Sequence, residues 1–118
     1  ALMQKIAVDT KPNMIKDIVE GFTTNPVKAG DELFIPAGYG HLVVNTGLDF
    51  LVTSDDSPVN FGDVDPAGLP GHADYELVKQ MRGFAYYVVE NNGTPALVKN
   101  KLYKEIRKQE LSNLPVVE

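Results

Sequence analysis

Short apolar and β-branched runs, each bounded by turn residues, follow one another along most of the chain. The clearest runs are residues 1–8 and 83–90, and each predicts a strand. A further run at 95–98 follows the Asn-Asn-Gly sequence at 91–93, so these runs predict a β-hairpin. The pattern indicates a fold built mainly from strands.

The middle of the chain predicts a further series of short strands. Residues 33–35 are an apolar run typical of a strand buried on both faces, and the Pro-Ala-Gly sequence at 36–38 predicts a turn. An extended, β-branched pattern resumes at 41–44. After a turn at 46–49, residues 50–53 predict one more strand.

Residues 14–22 fit two structures. The run follows a hairpin turn predicted at 9–13, as a strand would. Its large apolar side chains nevertheless have the spacing of one helix face. They are Ile15, Ile18, Val19 and Phe22.

Two segments depart from the strand pattern. Residues 54–71 are rich in Pro, Gly and Asp. A loop of this length inside a compact domain is usually functional or disordered, and we predict a functional loop over 54–76. Residues 75–81 predict a turn of helix. The tail at 100–118 alternates in charge and ends in Leu-Pro-Val-Val, which predicts a short surface helix followed by an extended arm. Such an arm can add to a neighbouring subunit's sheet.

Five residues at fixed offsets stand out in the segment GDELFIPAGYGHLVVN: Gly30, Pro36, Gly38, His41 and Asn45. Gly30 opens a turn, Pro36 fixes its own φ, and Gly38 permits a positive φ. Asn45 can close the next turn through its side chain. His41 is the only one of the five that carries chemistry, and it stands at the start of a predicted strand.

This spacing resembles the second signature of the cupin superfamily, whose small β-barrels hold a metal through histidines. The resemblance implies an all-β fold over 1–118, a single cupin domain in the form of a double-stranded β-helix or jelly-roll-like barrel. We expect this barrel to be incomplete at its N-terminal side and to carry a short C-terminal helix. Cupin strand order also favours a strand at 14–22.

Three segments further resemble the C-terminal part of the cupin-type glucose-6-phosphate isomerases. They are AGDELFIPAGYGHLVVN, the loop ending in PGHADYE, and RGFAYYVVENNGTPALVKN, and the resemblance runs from about residue 27 to about residue 103. The resemblance implies that His41 binds the metal, that His72 and Tyr75 lie at the substrate, and that Tyr39 lines the pocket. The chain reads GHADY where the family has Gly-His-Asp-Tyr, so Tyr75 is displaced by one position.

The family's first signature, a His-x-His pair with a downstream Glu, is absent from these 118 residues. In the family it supplies three of the four metal ligands and the Glu proposed to move the proton. The opening ALMQKI resembles the strand that follows that Glu. We therefore expect the C-terminal portion of such a protein, cut or translated separately, with weak or no metal binding of its own.

The implied chemistry is the interconversion of glucose 6-phosphate and fructose 6-phosphate with a divalent metal (Fe, Mn, Ni or Zn). The chain has no cysteine, so nitrogen and oxygen ligands must hold such a metal. His72 is expected to act in catalysis as a general acid or base oriented by Asp74, and Tyr75 to contact the substrate. The structural alternatives are an exposed loop histidine for His72, and aromatic packing for Tyr75 and Tyr39.

The formal net charge of −5 argues against nucleic acid or an anionic membrane as a partner. Residues 29–78 contain no Lys or Arg, so a bound phosphate there would depend on hydroxyls, backbone N–H groups, the metal or the missing half. No apolar run is long enough to span a bilayer, and we expect a cytoplasmic protein. We also expect a homodimer or a complementing N-terminal half as partner, beside the sugar-phosphate substrate.

Two other functions stay open from the sequence. The first is a non-catalytic cupin module that binds a sugar or assembles a dimer, which the missing ligands favour. The second is another metal-dependent cupin enzyme such as an oxygenase, because one fold hosts many chemistries. Only the resemblance around GHADYE and RGFAYYVVE distinguishes the isomerase from this second alternative.

Overall fold

The computed structural model of the protein describes residues 1–8, 14–54 and 75–118. Described elements form two sheets and one short helix. In chain order they are β1 (Leu2–Val8), β2 (Met14–Thr24), β3 (Gly40–Leu42), α1 (Tyr75–Gln80), β4 (Tyr86–Asn91), β5 (Thr94–Lys99), β6 (Glu105–Ile106), β7 (Gln109–Glu110) and β8 (Val116–Val117).

The first sheet has the order β3-β1-β2-β6, with β7 also paired with β2, and the second has the order β4-β5-β8. Both sheets mix antiparallel and parallel pairs. This mostly-β architecture agrees with the predicted all-β, cupin-like class. The strands of the described residues do not close into a barrel.

A β-bulge explains why β2 has the apolar spacing of a helix. The register of β1 against β2 shifts after Lys5, and Glu20 is left as the extra residue in β2. With this residue between them, Val19 and Phe22 lie on the same face although they are three positions apart. Both side chains are fully buried. The strand predicted at 14–22 is therefore confirmed.

The core lies between the two sheets and α1. Val19 and Phe22 from β2 pack with residues of the segment 81–86, and the Phe22 and Tyr86 rings contact each other in a tilted arrangement. The buried cluster consists of Leu2, Val19, Phe22, Met81, Phe84, Ala85, Tyr86, Leu97 and Tyr103.

A buried polar network ties the sheets together. The Gln4 side chain donates to the Tyr103 hydroxyl oxygen (3.0 Å) and accepts from the Ala85 N–H (2.7 Å). The Asn100 amide donates to the carbonyls of Met81 and Phe84 at 2.8 and 3.0 Å. No buried side-chain nitrogen or oxygen of the described residues lacks a partner. Burial of these polar groups is therefore compensated.

The hairpin predicted after residue 83 is confirmed as β4 and β5, which pair antiparallel. Asn92 and Gly93 both have positive φ, 53° and 82°, as a two-residue hairpin turn of the primed class requires. Tyr86 is buried and Tyr87 exposed, as their alternation on one strand predicts. The short helix predicted near 75–81 is confirmed as α1. No helix of the described residues is long and apolar enough to cross a membrane.

Two strand predictions in the middle of the chain are wrong. Residues 33–35 and 50–53 have no regular structure, and Phe34, Phe50 and Val52 are exposed. An apolar run becomes a strand only where another backbone can pair with it. In this part of the structure β1 offers partners only to Gly40–Leu42.

The predicted C-terminal helix is also wrong. β6 and β7 pair with β2 in parallel instead, and the Arg107 N–H donates to the Val19 carbonyl at 2.8 Å. The predicted arm lies on its own sheet rather than a neighbour's, because β8 pairs with β5. The backbone of the tail therefore forms hydrogen bonds with open strand edges instead of the internal hydrogen bonds of the predicted helix.

Two predicted loops lie largely outside the described residues. The turn at 9–13 is one, and the strands on either side of it pair antiparallel. The other is the loop at 54–76, of which residues 55–74 are not described.

Candidate functional site

His41 lies on β3, the edge strand of the first sheet. It pairs with Met3 of β1, and its side chain is exposed. Because side chains alternate across a strand, His41 shares a face of the sheet with Met3 and Lys5, opposite the core face of Gln4. The imidazole is therefore presented by a sheet whose other face is packed.

The turn before β3 positions Tyr39. The Tyr39 N–H donates to the Pro36 carbonyl at 3.2 Å, and Gly38 has a φ of +87° within this turn. The Tyr39 hydroxyl lies directly over Gly21, where an added Cβ would be 2.9 Å away from it. Because residue 21 of β2 is a glycine, there is room for the Tyr39 ring to lie across the sheet at this point.

The last residue of the motif, Asn45, also does what its type predicts. Its side-chain oxygen accepts from the Gly47 N–H at 3.0 Å, and its amide donates to the Asp49 carbonyl at 2.8 Å. The turn predicted at 46–49 is closed in this way. The motif residues other than His41 therefore shape the backbone on both sides of the histidine.

A groove of about 300 Å³ opens beside Tyr39. β1 and β2 form its floor, and Tyr39 and β7 form its sides. The lining residues are Lys5, Glu20, Gly21, Phe22, Thr23, Tyr39, Lys108, Gln109 and Glu110.

Some charged side chains of the groove have a partner of opposite charge and others do not. Glu20 forms an ion pair with Arg107 at 2.9 Å, and this hydrogen bond raises the pKa of the Arg107 guanidinium. Glu110 accepts the Ser112 N–H at 3.1 Å. The side chains of Lys5 and Lys108 make no hydrogen bond or ion pair within the described residues. The groove therefore offers two uncommitted ammonium groups and one carboxylate without a cationic partner.

The structure brings together two of the four predicted site residues. Tyr39 and His41 are two positions apart and project from the same face, and Tyr39 lines the groove. His72 lies outside the described residues. Tyr75 begins α1, and only its backbone is described.

Sequence reasoning missed Lys5 and Lys108. They are about a hundred positions apart and line the same groove because β1 and β7 both pair with β2. No local sequence pattern indicates that these two lysines share a groove, because the pattern of the tail predicts a helix.

A resident metal does not fit the described residues by themselves. A protein metal site needs three or four ligands, and His41 is the only described histidine. No group of three or more His, Cys, Asp or Glu side chains converges within residues 1–8, 14–54 and 75–118.

One comparison with known proteins finds a relationship. A family model described as glucose-6-phosphate isomerase matches residues 5–105. None of the curated proteins matches the chain, and none of the solved structures does. The matched region includes the groove residues of β1 and β2, the His41 motif and the β4–β5 hairpin.

Proposed function

Because the chain belongs to the glucose-6-phosphate isomerase family, we propose that it serves in a metal-dependent interconversion of glucose 6-phosphate and fructose 6-phosphate, carrying part of the site. The observation that carries this proposal is the family match over 5–105. The exposed imidazole of His41 beside a groove supports it. An open-chain sugar needs such an accessible face.

The reaction moves a hydrogen between C1 and C2 of the open-chain sugar. A carboxylate base acting through an enediol and a hydride shift would each achieve this. In our proposal His72 assists ring opening by proton transfer, because imidazole titrates near neutral pH. Tyr75 donates a hydrogen bond to the substrate, and Tyr39 lines the pocket.

We propose that His41 is one ligand of a divalent metal (Fe, Mn, Ni or Zn). Neutral imidazole suits each of these metals. Since the described residues do not complete a site, the other ligands would come from a complementing N-terminal half that carries a His-x-His pair and a Glu. Bound there, the metal would supply Lewis-acid polarisation of the sugar oxygens.

The test is an intact-mass spectrum of the protein isolated from its source, taken under denaturing conditions, followed by metal analysis of the native material. We expect a second polypeptide containing the His-x-His pair and the Glu, together with near-stoichiometric metal. A single, metal-free chain would overturn the catalytic proposal. The non-catalytic sugar-binding or dimerising module would then replace it.

The remaining partners stay predictions. A homodimer is expected because β3 has one unpaired edge among the described strands, and an open edge invites pairing. Analytical ultracentrifugation of the chain would decide between a monomer and a dimer. A cytoplasmic location and the absence of nucleic-acid binding likewise stay predictions.

A further inference from the structure

We infer that the groove beside Tyr39 binds the phosphate group of the sugar phosphate, with the ammonium groups of Lys5 and Lys108 as its cationic donors. This inference rests on the proposed function and adds a subsite to it. The sequence indicated that residues 29–78 hold no cation for a phosphate. The structure provides two cations from outside that segment.

Lys5 is held in the groove by its own stem. Its Cε lies 3.6 Å and its Cδ 3.9 Å from the position of a Cβ added at Gly38. The aliphatic part thus packs on the turn that also positions Tyr39, and a lysine stem packed in this way can keep its ammonium group in water.

Lys108 comes from the opposite side of β2. Its carbonyl accepts the Phe22 N–H at 2.9 Å, which attaches the start of β7 to the sheet. The backbone of Lys108 is therefore fixed even though its side chain is exposed. The two lysines approach the groove from two strands that flank β2.

The side chains of Lys16 and Lys99 are engaged elsewhere. Lys16 donates to the Gln80 side chain at 3.1 Å, and Lys99 donates to the carbonyls of Asn100 and Tyr103, each at 2.9 Å. Lys5 and Lys108 have no such partner within the described residues. Two unpaired ammonium groups lining one groove can each donate a charge-assisted hydrogen bond to a dianionic phosphate.

The groove also contains two carboxylates, and one of them is already engaged by a cation. Glu20 is ion-paired with Arg107, so Glu110 is the groove carboxylate without a cationic partner among the described residues. Glu20 shares the Arg107 guanidinium with Glu105, which lies 3.4 Å from it, so the two lysines remain the groove's cations without an ion-pair partner among the described residues. A neutral sugar would gain little from this arrangement, whereas a phosphate would gain two charge-assisted hydrogen bonds.

Hydroxyl donors complete the subsite. The Tyr39 hydroxyl lies over Gly21 and has no hydrogen-bond partner in the described part of the chain. The Thr23 hydroxyl oxygen accepts from the Asn25 amide at 3.1 Å, which leaves its own O–H free to donate. The subsite therefore combines two ammonium groups and two hydroxyls.

The position of the groove relative to His41 suits one substrate bound across both. Tyr39 and His41 are two residues apart on an extended chain, which corresponds to about 7 Å. An extended hexose phosphate is long enough to place its phosphate near Tyr39 and its C1–C2 end near His41. Phosphate binding would then fix which end of the sugar faces the histidine.

The test is calorimetric titration of the 118-residue chain with glucose 6-phosphate, glucose and inorganic phosphate. We expect the two phosphate-bearing ligands to bind and glucose to bind much more weakly. Lys5→Met and Lys108→Met keep most of the stem and should each weaken glucose 6-phosphate binding about tenfold or more. Rising salt concentration should weaken binding to the wild type, and less so to the variants.

Lys101→Met is the matched control, because Lys101 is an exposed lysine of the tail that does not line the groove. Its binding should equal that of the wild type. Tyr39→Phe removes only a hydroxyl and should weaken phosphate binding without unfolding the chain. Circular dichroism of each variant checks that the fold is kept.

The inference and the proposed function can fail separately. Phosphate binding that depends on Lys5 and Lys108, without any isomerisation, would support the subsite and count against the isomerase. Turnover with an unchanged KM in Lys5→Met and Lys108→Met would support the isomerase and overturn the subsite. Equal binding of all three ligands, or of none, would also overturn it.

Discussion

The packed core and the segment at 27–54 differ in where they place their large apolar side chains. Phe22 on β2 is fully buried, whereas Phe50 is fully exposed and Phe34 is 82% exposed. The core buries the side chains of Gln4 and Asn100, and every buried side-chain nitrogen and oxygen of the described residues has a hydrogen-bond partner. The segment that carries His41 contributes little to that core. Stability and the proposed chemistry therefore depend on different parts of the chain.

The prediction with the largest expected effect compares two phenylalanines, one from each region. Phe22→Ala should lower the free energy of unfolding by about 3–5 kcal/mol, because it removes a buried ring that contacts Tyr86. Phe50→Ala should change it by less than about 0.5 kcal/mol. Urea denaturation of both variants measures the difference. Equal losses would show that the segment at 27–54 is packed as firmly as the core.

A buried amide provides the second comparison. Gln4→Leu leaves the Ala85 N–H without its acceptor and should cost about 1–3 kcal/mol. Gln80→Leu on α1 is the control, because Gln80 is exposed and accepts only from Lys16 among the recorded contacts. It should cost less than about 0.5 kcal/mol. Similar costs for both would contradict the role of the buried network.

Backbone conformation supplies a smaller effect. Gly93→Ala should cost about 1 kcal/mol, because residue 93 has a φ of +82° in the β4–β5 turn while no atom blocks an added Cβ. Gly47→Ala is the control from the other region, where an added Cβ would meet the Asn45 side chain only at 3.5 Å. Thermal denaturation should separate the two variants. No difference between them would argue against the strained turn.

The smallest expected effect is a change in the free energy of unfolding at alkaline pH. Burial raises the pKa of Tyr103 above its usual value of 10.0, so the folded state favours the neutral phenol. The resulting stability is complete below pH 10 and is lost as pH rises through the folded-state pKa. Denaturation between pH 8 and 11 should therefore show a steeper fall for the wild type than for Tyr103→Phe. Parallel slopes would remove Tyr103 as the cause.

Local chemistry made several parts of the fold predictable. The Asn-Asn-Gly sequence predicts the β4–β5 hairpin, because its two central turn residues, Asn92 and Gly93, tolerate positive φ. Asn45 closes its turn through its own side chain, as its residue type suggests. The strand at β2 was harder, since the bulge at Glu20 gives it a helical spacing. Cupin strand order, rather than periodicity, favoured the correct structure there.

Tertiary pairing decided what the sequence pattern did not predict. The tail alternates in charge like a surface helix, yet β6 and β7 form because β2 has an open edge. The groove depends on this pairing, since it brings Lys108 to the same groove as Lys5. His41 and Tyr39 could be named from the motif because their spacing is local. The two lysines could not, because only the folded sheet relates them.

The most direct test of the central claim is turnover by the protein isolated natively from its source. Proton NMR can follow glucose 6-phosphate as it converts to fructose 6-phosphate, with His41→Ala compared against Thr46→Ala, an exposed neighbour on the same segment. We expect conversion by the wild type and Thr46→Ala, and a loss of at least about a hundredfold in His41→Ala. Equal conversion by all three, or none by the wild type, would contradict the assignment of His41 to an isomerase site.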